Sequence, residues 1–182
     1  MKREQLEHII RASCAITGQS EIVIIGSQSI LGQFPNAPRE LLASMEADVF
    51  PRHRPDLAIN IDGAIGERSI FHETFGYWAH GVGEETATLP ARWRERLVPV
   101  HNENTGGGTG LCLEAHDLAA SKLAAGREKD LSFVKDMLRT HVVDPRELTR
   151  RIATMPLPAE GKTLLDARLQ RLSVDRTGEM LL

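Results

Sequence analysis

Glu46 and Asp48 stand one residue apart in a segment that alternates, Met45, Ala47 and Val49 against Glu46, Asp48 and Phe50. On a strand, residues i and i+2 share a face, so the two carboxylates project together. Two unit charges about 4 Å apart repel by roughly 4 kcal/mol at an effective dielectric near 20, and protons, arginines or a divalent cation must offset that. Mg²⁺ takes one or two carboxylates and completes its shell with water and substrate phosphates. The plainer alternative is an edge strand carrying ordinary surface acids.

Upstream, the β-branched run Glu21 to Ile25 stops at Gly26-Ser27. A glycine there lets the backbone approach a ligand closely. The Ser27 hydroxyl and the free N–H groups of a following helix start can hold a phosphate. Without a ligand the pair is a strand-to-helix turn with Ser27 as N-cap. Downstream, a helical wheel sets Lys122 in the middle of a stripe of Ala115, Leu118, Ala119, Leu123 and Ala125. Asp130 falls between Val134 and Met137 on the next helix. A lysine centred on an apolar face needs a partner or must lose its charge. Two readings follow: a Lys122–Asp130 ion pair joining the helices, or Lys122, with Arg127 or Lys129, aimed at a triphosphate.

The remaining motifs fail on their spacing. His72-Glu73-Thr74-Phe75-Gly76 begins like a zinc-protease HExxH but ends in glycine. Gly161-Lys162-Thr163 has Pro156 where a P-loop needs its first glycine. The GGGTG of residues 106–110 reads as a hairpin tip. His72 and His80 are expected to pack or to hydrogen-bond rather than to ligate. No GxSxG or Cys/His arrangement marks an acyl-transfer nucleophile.

The elements that must position these residues are readable in part. Helices are expected over residues 2–16, 28–33 and 39–44, and strands over 21–25 and 45–50. A further strand or helix turn covers 57–61, and residues 63–85 carry no clear period. Strands over 96–101 and 111–114 bracket the glycine-rich loop. After that the pattern turns helical, over 116–125, 129–140, from Asp144 and over 161–172. Asp144-Pro145-Arg146-Glu147 has an N-cap, a proline in the first turn and a glutamate to close a capping box.

Composition fits an ordinary globule: 182 residues, 41% hydrophobic, 26% charged. A net charge of -3 gives no global attraction to nucleic acid or anionic membrane. Two cysteines, Cys14 and Cys112, are too few for a disulfide framework. No apolar run approaches the roughly 18 residues of a membrane span. The charged, helical start is unlike a signal peptide, so a cytoplasmic protein without membrane association is expected.

The stretches "IIGS", "SMEADVF" and "HDLAASKLAAGREKD" together resemble the nucleotidyltransferase superfamily with the DNA polymerase β-like fold. Within it the likeness is greatest to bacterial proteins related to abortive-infection nucleotidyltransferase toxins, and it covers roughly residues 20–140. The resemblance implies an α+β fold: a small mixed β-sheet core flanked by helices over 1–114, and a helical C-terminal part over 115–182 packed on it, the two possibly one continuous domain. It implies that Gly26 and Ser27 bind nucleotide phosphates. Glu46 and Asp48 would be the catalytic acids that bind Mg²⁺ or Mn²⁺. Lys122 would contact the triphosphate, supported by Arg127, Lys129 and Asp130. The implied substrate is an NTP. The acceptor hydroxyl is open between RNA such as a tRNA end, protein and small molecule, and an antitoxin is a possible partner. Two features depart from the pattern. The first acid is Glu46 rather than Asp, and the residues between Ser27 and Glu46, 28–45, outnumber the usual spacing. A third carboxylate is expected on a later strand, with Glu103, Glu114 and Asp62 as candidates. The rival expectation is a catalytically silent nucleotide-binding or interaction module of the same fold.

Overall fold

The computed structural model describes residues 1–178, and they fall into two compact units. The first comprises Met1–Thr86 and Arg96–Glu114; the second comprises Ala87–Glu95 and the chain from Ala115 onward.

The first unit holds five strands: β1 (Glu21–Ile24), β2 (Glu46–Pro51), β3 (Trp78–Gly81), β4 (Val98–Val100) and β5 (Thr109–Cys112). They form one mixed sheet in the order β3-β2-β1-β5-β4. β1 pairs antiparallel with β2, Val23 opposite Phe50, and parallel with β5, Val23 opposite Leu111. Its position in the centre explains its composition: Ile22, Val23 and Ile24 are all buried, as expected for a strand covered on both faces. β2 pairs parallel with β3, and β4 antiparallel with β5. Four helices belong to this unit: α1 (Arg3–Thr17), α2 (Ile30–Gln33), α3 (Ala58–Ile65) and α4 (Ile70–Phe75).

Helix α1 buries Leu6, Ile9 and Ile10. Glu7 lies on the same buried side and is satisfied by Arg3, Asn102 and Asn104 at 2.9, 2.8 and 2.9 Å. Burial pushes the Glu7 carboxyl up, but these three donors outweigh it and hold the group below its ordinary range. They also pin the loop before β5 to α1. Residues 63–85, without a period in the sequence, resolve into the end of α3, α4 and β3. Ser69 caps α4 by accepting from the His72 N–H at 3.1 Å. Phe71 and Phe75 of α4 gather with Tyr77 around His8, whose Nδ1 lies 2.8 Å from the Tyr77 hydroxyl.

The second unit is built from α5 (Ala115–Ala125), α6 (Glu128–Arg139), α7 (Pro145–Ala153) and α8 (Ala159–Gly178). Leu118, Leu123, Val134, Met137, Leu148, Ile152, Leu165 and Leu169 form its core. Gly126 ends α5 at φ +67°, a left-handed turn that glycine adopts without strain. Asp144 caps α7, accepting from the Glu147 N–H at 2.9 Å. Buried Asp117 of α5 pairs with Arg151 of α7 at 3.0 Å. The Ala91 N–H donates to the Thr154 carbonyl, tying residues 87–95 to the end of α7. Among the described residues, no helix is long and apolar enough to cross a membrane.

Candidate active site

β1 ends one residue before its pairing does. The Ile25 N–H still donates to the Asp48 carbonyl at 3.0 Å, so the ladder with β2 carries Asp48 up to the turn. The chain then bends at Gly26, and the Ser29 N–H closes the turn on the Gly26 carbonyl at 3.0 Å. Ser27 opens a single 3₁₀ turn, Ser27–Ser29, that leads into α2. A Cβ built on Gly26 would lie 1.8 Å from Asp48 Oδ2 and 2.7 Å from its Cγ. The carboxylate therefore rests in the space that the missing side chain leaves, against the Gly26-Ser27 backbone.

β2 alternates as its sequence implies. Ala47 and Val49 are fully buried, whereas Glu46 and Asp48 are half-buried on the opposite face. Phe50, next on that face, is buried as well, so only the end of β2 near Gly26 is open. The parallel pairing with β3 sets Trp78 opposite Glu46 and His80 opposite Asp48. The Trp78 indole donates to Glu46 Oε2 at 3.3 Å. His80 Nδ1 lies 3.3 Å from Asp48 Oδ1 and 3.9 Å from Glu46 Oε1. The Glu46 carboxyl sits above its ordinary range, first through burial and then through the charge of Asp48; His80 and the indole act the other way.

Glu46, Asp48 and His80 each offer one ligand atom, all within 4.8 Å of one another. Ligands of an ion at about 2.1 Å lie about 3–4 Å apart, so this set fits one divalent cation after small adjustments. Among the described residues, none of Glu103, Glu114 and Asp62 joins the group. The strand β3 brings a histidine, His80, to the two acids. His72 packs and hydrogen-bonds as expected, stacked 4.3 Å from Trp78 and accepting from the Arg68 N–H. His80 hydrogen-bonds as expected too, to Asp48, and in doing so it faces both acids. The alternation of Trp78-Ala79-His80 was the available signal, and it is too short to fix a strand.

A family model described as a nucleotidyltransferase of unknown function (DUF6036) matches residues 4–163. The chain belongs to this nucleotidyltransferase family. No curated protein and no solved structure matches it. The five-stranded mixed sheet and its flanking helices are consistent with a nucleotidyltransferase-like core.

In this member of the family the other four residues singled out from the sequence lie in the second unit. Lys122 Nζ is 2.9 Å from Asp130 Oδ1, and Arg127 Nε reaches Asp130 Oδ2. Asp130 is buried and Lys122 nearly so, whereas Arg127 and Lys129 are exposed. Lys122 also lies 5.6 Å from the centre of the Phe133 ring. The ion pair anticipated between α5 and α6 is therefore formed.

Two predictions follow for the acid site. Gly26→Ala should displace the Asp48 carboxylate from its seat against residue 26. The expected result is a loss of Mn²⁺ affinity of at least about tenfold, comparable to losing a ligand's support, with a stability cost no greater than about 3 kcal/mol. Unchanged Mn²⁺ titrations would refute the cradle. Asp48→Asn should lower the Glu46 carboxyl toward its ordinary value, because the charge of Asp48 is the second cause that raises it, after burial. Carboxyl NMR titration of metal-free protein reads this directly; an unchanged or higher value would show that Asp48 is not a cause.

Proposed function

We propose that this protein transfers a nucleoside monophosphate from an NTP to a hydroxyl acceptor with the help of Mg²⁺ or Mn²⁺. The observation that carries the reading is the Asp48 carboxylate seated on the Gly26-Ser27 turn, with Glu46 beside it on the same strand face. That arrangement places anionic metal ligands next to backbone N–H groups suited to phosphate. Glu46, Asp48 and Gly26 fit a divalent cation through their donor chemistry and the cradle that a Cβ would fill. Such a cation supplies charge neutralisation for the triphosphate and orientation for in-line displacement.

The chain's own residues then have separable tasks. Glu46 and Asp48 hold the ion and, through it, the geometry of the phosphates. Gly26 admits the backbone close to them, and Ser27 offers its hydroxyl and N–H. The acceptor hydroxyl forms a bond to the α-phosphorus, the bond from that phosphorus to the bridging oxygen breaks, and pyrophosphate and the acceptor proton leave. On the resemblance alone, the proposal also assigns triphosphate contacts to Lys122, Arg127 and Lys129, with Asp130 orienting them.

The test is transfer itself. The full chain is incubated with α-labelled NTPs, Mg²⁺ or Mn²⁺, and separately with total RNA, cell protein and a small-molecule extract. Label should appear on one acceptor class with stoichiometric pyrophosphate. NTP binding without transfer under either metal would sink the enzyme reading and leave a silent nucleotide-binding module.

A further inference from the structure

The geometry points to His80 as a third protein ligand that turns this cation site toward first-row transition ions, Mn²⁺ among them, and away from Mg²⁺. Three observations carry this. The imidazole stands on β3 directly opposite Asp48 in a parallel register, so the backbone, not a flexible loop, delivers it. Its Nδ1 faces both acids, at 3.3 Å from Asp48 Oδ1 and 3.9 Å from Glu46 Oε1. The two oxygens of Glu46 are also divided: the Trp78 indole donates to Oε2, and Oε1 is the one turned to His80. A ligating carboxylate steered by an outer hydrogen bond in this way is the usual support of a metal site.

The chemistry of the donor set decides the ion. Mg²⁺ is a hard cation that takes oxygen ligands and keeps several waters. Imidazole nitrogen suits first-row transition ions, and carboxylate oxygen suits Mg²⁺, Ca²⁺ and Mn²⁺ alike. Mn²⁺ is a transition ion that carboxylate also suits, which makes it the probe to set against Mg²⁺. Two carboxylates without the histidine would leave Mg²⁺ as good a fit. With His80, Mg²⁺ must either leave the nitrogen outside its shell or accept a poor donor. The competing account is that His80, 51% exposed, merely hydrogen-bonds to Asp48. That account gives His80 no bond to the ion.

The inference rests on the nucleotidyl-transfer reading only in expecting a divalent ion here, so it is tested without nucleotide. The full chain, His80→Ala and His80→Asp are titrated with Mn²⁺ and with Mg²⁺, and Mn²⁺-loaded samples are examined by pulsed EPR for coupling to an imidazole nitrogen. The native chain should show that coupling, and His80→Ala should lose it. His80→Ala should weaken Mn²⁺ by at least about tenfold and Mg²⁺ by less, so the Mn²⁺-to-Mg²⁺ affinity ratio falls. His80→Asp should recover Mg²⁺ binding while the ratio stays low. Circular dichroism checks that both variants fold. Absence of nitrogen coupling in the native chain, or an unchanged ratio in His80→Ala, would overturn the inference. Nitrogen coupling without nucleotidyl transfer would instead count against the enzyme reading alone and support this one.

Discussion

Asp48→Ala is expected to reduce nucleotidyl transfer by at least about 10³-fold, a barrier increase of about 4 kcal/mol. Asp48 does more than contribute one of two negative charges. Its carboxylate occupies the space beside Gly26, it lies next to His80, and its backbone carbonyl closes the last bond of the β1–β2 ladder. Alanine removes the first two and leaves the third, so the strand and the turn should persist while the ligand set collapses. The variant should therefore melt close to the native chain and still fail in the label-transfer assay. A residual rate within tenfold of native would mean that the ion, if needed, is held elsewhere. Asp48→Glu is a useful companion. It keeps the charge but pushes a longer side chain into the Gly26 contact, and it should recover little activity.

The second large effect is on stability. Asp130→Ala should destabilise the fold by about 3–5 kcal/mol, the usual cost of removing one partner from a buried ion pair. Asp130 is 1% exposed and Lys122 15%, so the lysine is left with little water to replace its partner. Arg127, 62% exposed, is screened and contributes little of the loss. Replacing both members of the pair, Lys122→Met with Asp130→Leu, should return most of the stability, because matched apolar side chains avoid the desolvation cost. Urea midpoints measure both variants against the native chain. The pH dependence has a definite sign. Burial pushes the Asp130 carboxyl up, but hydrogen bonds from Arg127 and Lys122 outweigh it and hold the group below its ordinary value. A depressed carboxylate contributes its stabilisation fully above the unfolded value, near about 4, and loses it as pH falls through the folded value. The gap between native and Asp130→Ala should stay constant from neutral pH to about 4 and narrow below. A gap that grows in acid would refute the assignment. The double variant also isolates function: a loss of NTP affinity in a chain that folds normally would support the triphosphate role proposed for Lys122.

The sequence made legible those parts of the fold that local physics determines. A buried β-branched run gave β1 its central place, period-two alternation gave β2, and Asp144-Pro145 opened α7. The ion pair was visible on helical wheels because a charge on an apolar stripe has few ways to be tolerated. β3 was not legible. It is four residues long, it follows two short helices, and it pairs parallel with β2, from which the chain reaches it by a crossover. Register across such a crossover is set by tertiary packing, not by residues near in sequence. The partner of His80 was hidden for that reason, since only the register puts it opposite Asp48. The division of labour among residues 63–93 was hidden by the same cause. Phe71 and Tyr77 enclose His8, whereas Trp93 is buried as part of the other unit.

The short excursion Ala87–Glu95 has a practical consequence. The chain passes from the first unit to the second and back before it passes over for good at Ala115. No single cut separates them. A protein shortened to residues 1–114 would keep Leu89 and Trp93 while discarding the unit in which they are buried, and would expose both. An insertion in evolution or in the laboratory meets the same constraint: either unit can be exchanged for a relative's only if the nine-residue loan is exchanged with it.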